Sequence, residues 1–115
     1  MFFFDQVVRV RAGTRTDRGG NTVADWSPGA VSRLHVARLN IQPTSQDELS
    51  EAARNAVKTG WRVQSEEGTR PDITAVDRIE WRGLMYEVDG EVAEWPDPLT
   101  GVVHHIEFTM VRATG

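Results

Sequence analysis

Three histidines are the side chains of this chain best suited to catalysis or metal binding: His35, His104 and His105. Adjacent residues of a β-strand point to opposite faces, so His104 and His105 are not expected to share one metal ion. The chain has no cysteine, which excludes disulfide bonds and thiolate ligands. Its acidic residues are scattered, and no nucleophile elbow or HExxH spacing is present. We therefore predict no catalytic residue, no cofactor and no metal site.

The four tryptophans, Trp26, Trp61, Trp81 and Trp95, are numerous for so short a chain. An indole is favoured at interfaces because one edge can stay hydrated while the rest is buried. They either fill the core and its rim or lie at a contact with a partner. Of the four, Trp26 and Trp95 are the interface candidates.

Three consecutive phenylalanines, Phe2, Phe3 and Phe4, stand at the start of the chain. Asp5 follows them and no basic region precedes them, so a signal peptide is not expected. As interface candidates they either anchor on a neighbouring protein or tuck into the core of their own domain. No apolar run approaches the roughly 20 residues of a membrane span, and no membrane partner is predicted.

Length and charge limit the possible classes of protein. The 115 residues are expected to form a single domain, 1–115. The net charge of −4 argues against a dedicated nucleic-acid binder, which usually has a basic surface. Residues 1–41 are net basic and residues 42–115 are net acidic. Either this division produces oppositely charged faces that attract other copies, or interleaved strands mix the charges.

The apolar pattern predicts β-strands in the first part of the chain. A first strand spans about Phe3–Arg11, and a short strand near Thr22–Trp26 follows the turn residues Asp17–Asn21. The longest strand covers Val31–Ile41, where the apolar phase changes by one residue. This change predicts a β-bulge near Ala37–Arg38.

The second part of the chain predicts further antiparallel strands. Apolar and polar residues alternate on both sides of Arg82–Gly83 within Asp72–Trp95, which is typical of a hairpin. A strand at Trp61–Gln64 precedes this unit and a last strand at Val103–Arg112 follows it. The expected fold is mainly β, a small antiparallel β-barrel of about six to seven strands, because closure removes exposed sheet edges.

Residues 44–59 interrupt this β pattern. Ser45 and Glu48 have the spacing of a helix capping box, and alanines then recur at helical spacing. One short α-helix at about Gln46–Asn55 is therefore predicted within an inserted loop. Because its apolar face is mostly alanine, the insertion is expected to pack lightly and to move on the barrel.

Three stretches resemble the head-to-tail stopper, or head-completion, proteins of long-tailed double-stranded DNA phages. They are DRGGNTVADW at Asp17–Trp26, QPTSQDE at Gln42–Glu48, and the hairpin unit Asp72–Trp95. The order of elements agrees with that family across nearly the whole chain. One departure is Gly20 directly before Asn21, preceded by a second glycine, Gly19, where an aromatic or polar residue is common in that family.

The resemblance implies a structural virion protein rather than an enzyme. Such proteins form a ring, here of six or twelve copies, that closes the portal channel after DNA packaging and provides the platform on which the tail docks. The implied partners are an adaptor or portal ring on the head side, a tail terminator or tail-tube protein on the other side, and double-stranded DNA contacted without sequence specificity. The candidates for a channel gate facing the DNA are Gln46, Glu48, Glu51, Arg54 and Lys58.

Two alternatives remain at the level of sequence. One is another connector ring protein, a tail terminator, although such proteins have longer helices than this pattern predicts. The other is a monomeric OB-like module that binds a small ligand or single-stranded nucleic acid through tryptophan and arginine on one sheet face.

Overall fold

The computed structural model describes residues 2–44 and 60–112, and this part of the chain contains eight β-strands. The strands are β1 (Asp5–Arg11), β2 (Gly13–Thr16), β3 (Thr22–Asp25), β4 (Ser32–Pro43), β5 (Gly60–Ser65), β6 (Arg78–Trp81), β7 (Leu84–Pro96) and β8 (Val103–Arg112). Six of them close into an antiparallel barrel in the order β1-β4-β5-β8-β7-β6, while β2 and β3 form a separate two-stranded sheet. The predicted mainly-β barrel is confirmed. The predicted helix at Gln46–Asn55 lies outside the described residues.

The hairpin predicted around Arg82–Gly83 joins β6 to β7. Both turn residues have positive φ, 52° at Arg82 and 76° at Gly83, as a two-residue turn of the type I′ class requires. Ile79 pairs with Tyr86 across the hairpin, and both side chains are buried. The alternation recognised in the sequence therefore directs one face of this hairpin into the core.

The predicted bulge in β4 is also present. Asp5 pairs with Leu39 and Val7 pairs with Val36, so β4 has one residue more than β1 between these pairs. Arg38 takes up the extra length with a φ of 62°. As a result, Val36 and Leu39 both point into the core although they are three residues apart.

Strand β1 contributes its arginine-bearing face to the interior. Val7 lies in the core cluster, and Arg9 on the same face is also buried. Val10 is buried as well, but it is not part of that cluster. The strand is shorter than the predicted Phe3–Arg11. Its arginines can face the barrel interior because aspartates of a later loop neutralise them.

The two ends of the barrel gather different segments. At the N-terminal end, β1 begins, β4 passes to β5, and β6 turns into β7. At the far end lie the β2–β3 sheet, residues 66–77 between β5 and β6, and the turn at 97–102 between β7 and β8.

The core of the barrel is apolar and rich in aromatic rings. Trp81 packs edge-on against Trp61 with ring centroids 4.9 Å apart, and Tyr86 lies 5.9 Å from Trp81. The core cluster consists of Val7, Val36, Leu39, Val63, Ile73, Ile79, Trp81, Tyr86, Ile106, Phe108 and Met110. Two of the four tryptophans thus serve the core or its margin.

Candidate functional site

The most extensive charged cluster in the described residues lies at the far end of the barrel. Arg11 binds Asp77 in a fork, with Nε 2.8 Å from Oδ1 and Nη2 3.0 Å from Oδ2. Asp72 accepts hydrogen bonds from Arg11 Nη1 at 3.1 Å and from Arg9 Nη1 at 3.2 Å. Residues at the end of β1 and residues of the loop before β6 are therefore held together by charge-assisted bonds.

The carboxyl of Asp77 is the most enclosed member of this cluster, with no exposed side-chain surface. Burial alone raises the pKa of Asp77, but hydrogen bonds from Arg11 and from the Thr74 backbone N–H outweigh it, and the net pKa lies below the ordinary value. The same pair holds the pKa of Arg11 above its ordinary value. Asp77 therefore stays ionised, and the cluster acts as a structural clamp.

Arg9 is buried deeper than Arg11 and is incompletely satisfied. Its Nη2 donates to the Ser32 hydroxyl at 3.3 Å, and its Nη1 reaches the Asp72 carbonyl at 3.2 Å. Its Nε is buried without a hydrogen-bond partner, counted over the residues that the structure describes. The guanidinium closes the far end of the barrel at the cost of this one unpaired donor.

The β2–β3 sheet lies at the far end and lines an open pocket of about 320 Å³ with mainly apolar walls, among them Ala12, Val23, Ala24 and Trp26. The guanidinium of Arg78 lies 4.0 Å above the ring of Trp26. Trp26, an interface candidate, is thus half-buried between its own sheet and β6.

The β7–β8 hairpin exposes apolar side chains at its tip. Leu99 is 93% exposed and Val102 is 67% exposed, while Trp95, the other tryptophan interface candidate, is 50% exposed. Trp95 also borders a cleft of about 210 Å³, whose polar wall includes Arg62, Asp89, Glu91, Glu107 and Thr109. The hairpin tip is therefore an apolar surface beside an acidic one.

The phenylalanines at the N-terminal end are divided. Phe2 and Phe4 are 73% and 85% exposed, and their rings stack on each other with centroids 5.6 Å apart. Phe3 is half-buried. The Asn40 side chain donates to the Phe2 carbonyl at 2.8 Å, which ties this segment to β4. Of the two readings, burial in the barrel's own core is wrong for Phe2 and Phe4.

The connection that contains the predicted gate starts and ends at one point of the barrel. The Thr44 backbone N–H donates to the Gly60 carbonyl at 3.1 Å, so the chain leaves β4 and enters β5 side by side. The gate candidates Gln46, Glu48, Glu51, Arg54 and Lys58 all lie outside the described residues.

His104 and His105 do not point to opposite faces, contrary to the sequence expectation. Trp95 pairs with His105 and Pro96 pairs with Val103, so His104 is an extra residue on β8. This bulge brings the two Nδ1 atoms to 2.9 Å, with the ring planes inclined at 79°. The simple alternation rule fails here because it assumes an uninterrupted strand.

The basic and acidic parts of the sequence are interleaved in the barrel. Arg33 pairs with Glu80, and Arg38 pairs with Glu66 at 2.6 Å, in addition to the Arg11 contacts with the second part of the chain. The alternative in which strands mix the charges is therefore the correct one for these arginines.

Sequence reasoning missed two groupings, the Arg11–Asp77 clamp and the histidine pair. Their members are 66 residues apart in the first case and depend on strand register in the second. Within residues 2–44 and 60–112, no group of three or more His, Cys, Asp or Glu side chains could hold a metal ion. That same part of the chain contains no helix long and apolar enough to span a membrane.

Comparison with known proteins supports the fold and no more. No family model matches the chain, and no curated protein matches it. The solution structure of protein SF1141 from Shigella flexneri 2a is similar, with a TM-score of 0.57 and 17% sequence identity. The similarity covers 98% of this chain and 95% of that one. At this identity, the similarity shows that the two share a fold.

Proposed function

We propose that this chain is a structural subunit of a phage head-to-tail stopper ring, which closes the portal channel after DNA packaging and provides the platform for the tail. The observation that carries the proposal is the exposure of apolar side chains at both ends of one closed barrel. Phe2 and Phe4 stand at the N-terminal end, while Leu99 and Val102 stand at the far end. A connector between two other rings needs two such docking surfaces.

The closed barrel suits the part of the subunit that must not move. Its strands are paired all the way round, and the far end is clamped by Arg11 and Asp77. The bond between Thr44 and Gly60 fixes both ends of the 45–59 connection to this frame. In the proposal, this connection carries the gate, and the bond at its base keeps β4 paired with β5.

The charge of the chain suits contact with DNA that must pass through. A ring of acidic subunits repels the phosphate backbone, so DNA is not retained by nonspecific binding. In the proposal, Arg54 and Lys58 supply the few phosphate contacts and Gln46, Glu48 and Glu51 complete the channel-facing set.

The alternative of an OB-like module gains little support from the side-chain positions. Such a module stacks bases on exposed aromatic rings. Trp81 is buried, Trp61 packs against it, and Trp26 lies under Arg78. Trp95 is 50% exposed, and it stands beside carboxylates that repel phosphate.

Electron microscopy of the chain assembled with its head and tail neighbours tests this function. The expected result is a ring of six or twelve copies on the channel axis, with the 45–59 connection on the channel side. Particles assembled without the chain serve as the control and should lack that ring. A chain found on the outer capsid surface, or one that stays monomeric with every neighbour, would show that the proposal is wrong.

A further inference from the structure

The bulge in β8 gives the two adjacent histidines an unusual relationship. The backbone of β8 at this bulge is held by a hydrogen bond of 2.7 Å from the Gly68 N–H to the His104 carbonyl. The Nδ1 atoms of His104 and His105 face each other at 2.9 Å. Both side chains keep part of their surface in contact with solvent, 31% for His104 and 16% for His105.

The other nitrogen of each ring faces a carboxylate. His104 Nε2 lies 3.6 Å from Glu67 Oε2, and His105 Nε2 lies 3.4 Å from Glu107 Oε1. A carboxylate beside Nε2 favours the tautomer that carries its proton there, and this leaves a lone pair on Nδ1. At 2.9 Å the two Nδ1 atoms are held together either by a proton on one of them, as a hydrogen bond, or by a cation between two Nδ1 lone pairs.

We propose that His104 and His105 together bind one divalent transition-metal ion through their Nδ1 atoms, with Cu(II) or Ni(II) preferred. Metal–nitrogen bonds of about 2.0–2.1 Å at a right angle place two ligand nitrogens about 2.9 Å apart, whereas a tetrahedral angle places them about 3.4 Å apart. The observed 2.9 Å is also the length of an ordinary hydrogen bond, and among metal geometries it fits the right angle of square-planar or tetragonal sites better than the tetrahedral angle.

Small ring rotations bring both lone pairs onto one ion, because the torsion about the Cβ–Cγ bond of histidine has broad minima. Glu67 and Glu107 then act in the way that outer carboxylates orient metal-bound histidines. Because no third protein ligand is placed in the described part of the chain, water completes the coordination. The site is open enough to admit it.

Isothermal titration calorimetry of the untagged full chain with Cu(II), and separately with Ni(II), tests the proposal. We expect one ion per chain, with affinity lowered at least about tenfold by His104→Gln and by His105→Gln. His35→Gln is the matched control, because His35 is bonded to Gln6 on another part of the barrel. This control should leave the affinity unchanged, and Mg(II) should not bind.

Electron paramagnetic resonance of the Cu(II)-loaded wild-type chain provides a readout that does not depend on folding of the variants. Two equatorial nitrogen ligands support the proposal, and fewer than two overturn it. Equal binding by wild type and the His104→Gln/His105→Gln double variant also overturns it. A wild-type chain that binds neither ion at millimolar concentration would mean that a shared proton, and not a metal, lies between the rings.

Discussion

Arg11 and Asp77 form a two-point ion pair that connects the last residue of β1 to the loop before β6, with Nε–Oδ1 and Nη2–Oδ2 distances of 2.8 and 3.0 Å. The Asp77 side chain is fully enclosed, while a third of Arg11 remains exposed. The pair closes the far end of the barrel beside the buried Arg9. Its two short, parallel bonds fix β1 and the loop before β6 in one geometry.

Asp77→Asn should lower the free energy of unfolding by about 3 kcal/mol, near the lower end of the range for breaking a buried ion pair. The expected decrease in stability is near the lower end of that range because Arg11 keeps Asp72 as a second partner. Urea unfolding followed by tryptophan fluorescence measures the change. Glu80→Gln, which removes the exposed partner of Arg33, is the matched control and should cost less than about 1 kcal/mol. Equal effects of the two changes would contradict the assigned role of Asp77.

Stability should decrease in acid because the carboxyls of this cluster titrate. The pKa values of Asp77 and Asp72 lie below their ordinary values in the folded protein, so the unfolded chain binds more protons. Their contribution is fully present above about pH 4 and is lost as the pH falls toward the lower folded pKa values. Urea midpoints between pH 6 and pH 2 measure this loss. A wild-type chain with the same acid dependence as Asp77→Asn would argue against it.

Gly13→Ala should destabilise the packing of β2 against the segment after β3. A Cβ at Gly13 would lie 2.6 Å from the Ala30 carbonyl oxygen, which is closer than atoms can approach. Overpacking of this kind costs about 1–3 kcal/mol. Gly29→Ala is the control, because a Cβ there meets no atom within 4 Å. Thermal unfolding should show a lower midpoint for the first variant and little change for the second.

Phe2→Ser/Phe4→Ser should leave the barrel folded and block one docking step. Both rings are mostly exposed, so the free energy of unfolding should change by less than about 0.5 kcal/mol for each residue. Loss of buried apolar area at a partner surface should instead remove the chain from, or stall, particle assembly. Circular dichroism checks the fold, and electron microscopy scores the particles.

The double variant Leu99→Ser/Val102→Ser makes the corresponding change at the far end of the barrel, where it removes two exposed apolar side chains. The two double variants should stall assembly at different stages, one at attachment to the head and the other at attachment of the tail. Complete, infectious particles from both variants would contradict docking through the two ends of the barrel.

Replacement of residues 46–59 by a glycine-serine linker of equal length should give a folded subunit whose particles lose DNA. The bond between Thr44 and Gly60 keeps β4 and β5 paired at the base of the connection. DNA retention in purified heads is the measurement, with wild-type heads as the reference. Full retention of DNA would show that the gate is elsewhere.

Local patterns were sufficient for much of the barrel. The Arg82–Gly83 hairpin and the Ala37–Arg38 bulge were predictable because alternation and turn chemistry are encoded in neighbouring residues. The last strand, Val103–Arg112, was also predicted at its observed bounds. Neither the strand order nor the separate β2–β3 sheet followed from these patterns.

Local sequence patterns identified only part of the residues that could dock a partner. The four tryptophans and the three phenylalanines at the start of the chain were possible contact residues. Composition does not determine which of them are exposed. The packing of Trp61 on Trp81 and the stacking of Phe2 on Phe4 depend on which strands become neighbours.

By itself, the sequence determined the mainly-β class, the principal hairpin and the position of the bulge in β4, because each depends on residues close together in the chain. Tertiary structure alone decided that Arg11 meets Asp77, since closure of the barrel brings together residues 66 positions apart. It also decided that His104 and His105 face each other, because the pairing of β8 with β7 inserts a bulge there and cancels the alternation of the strand.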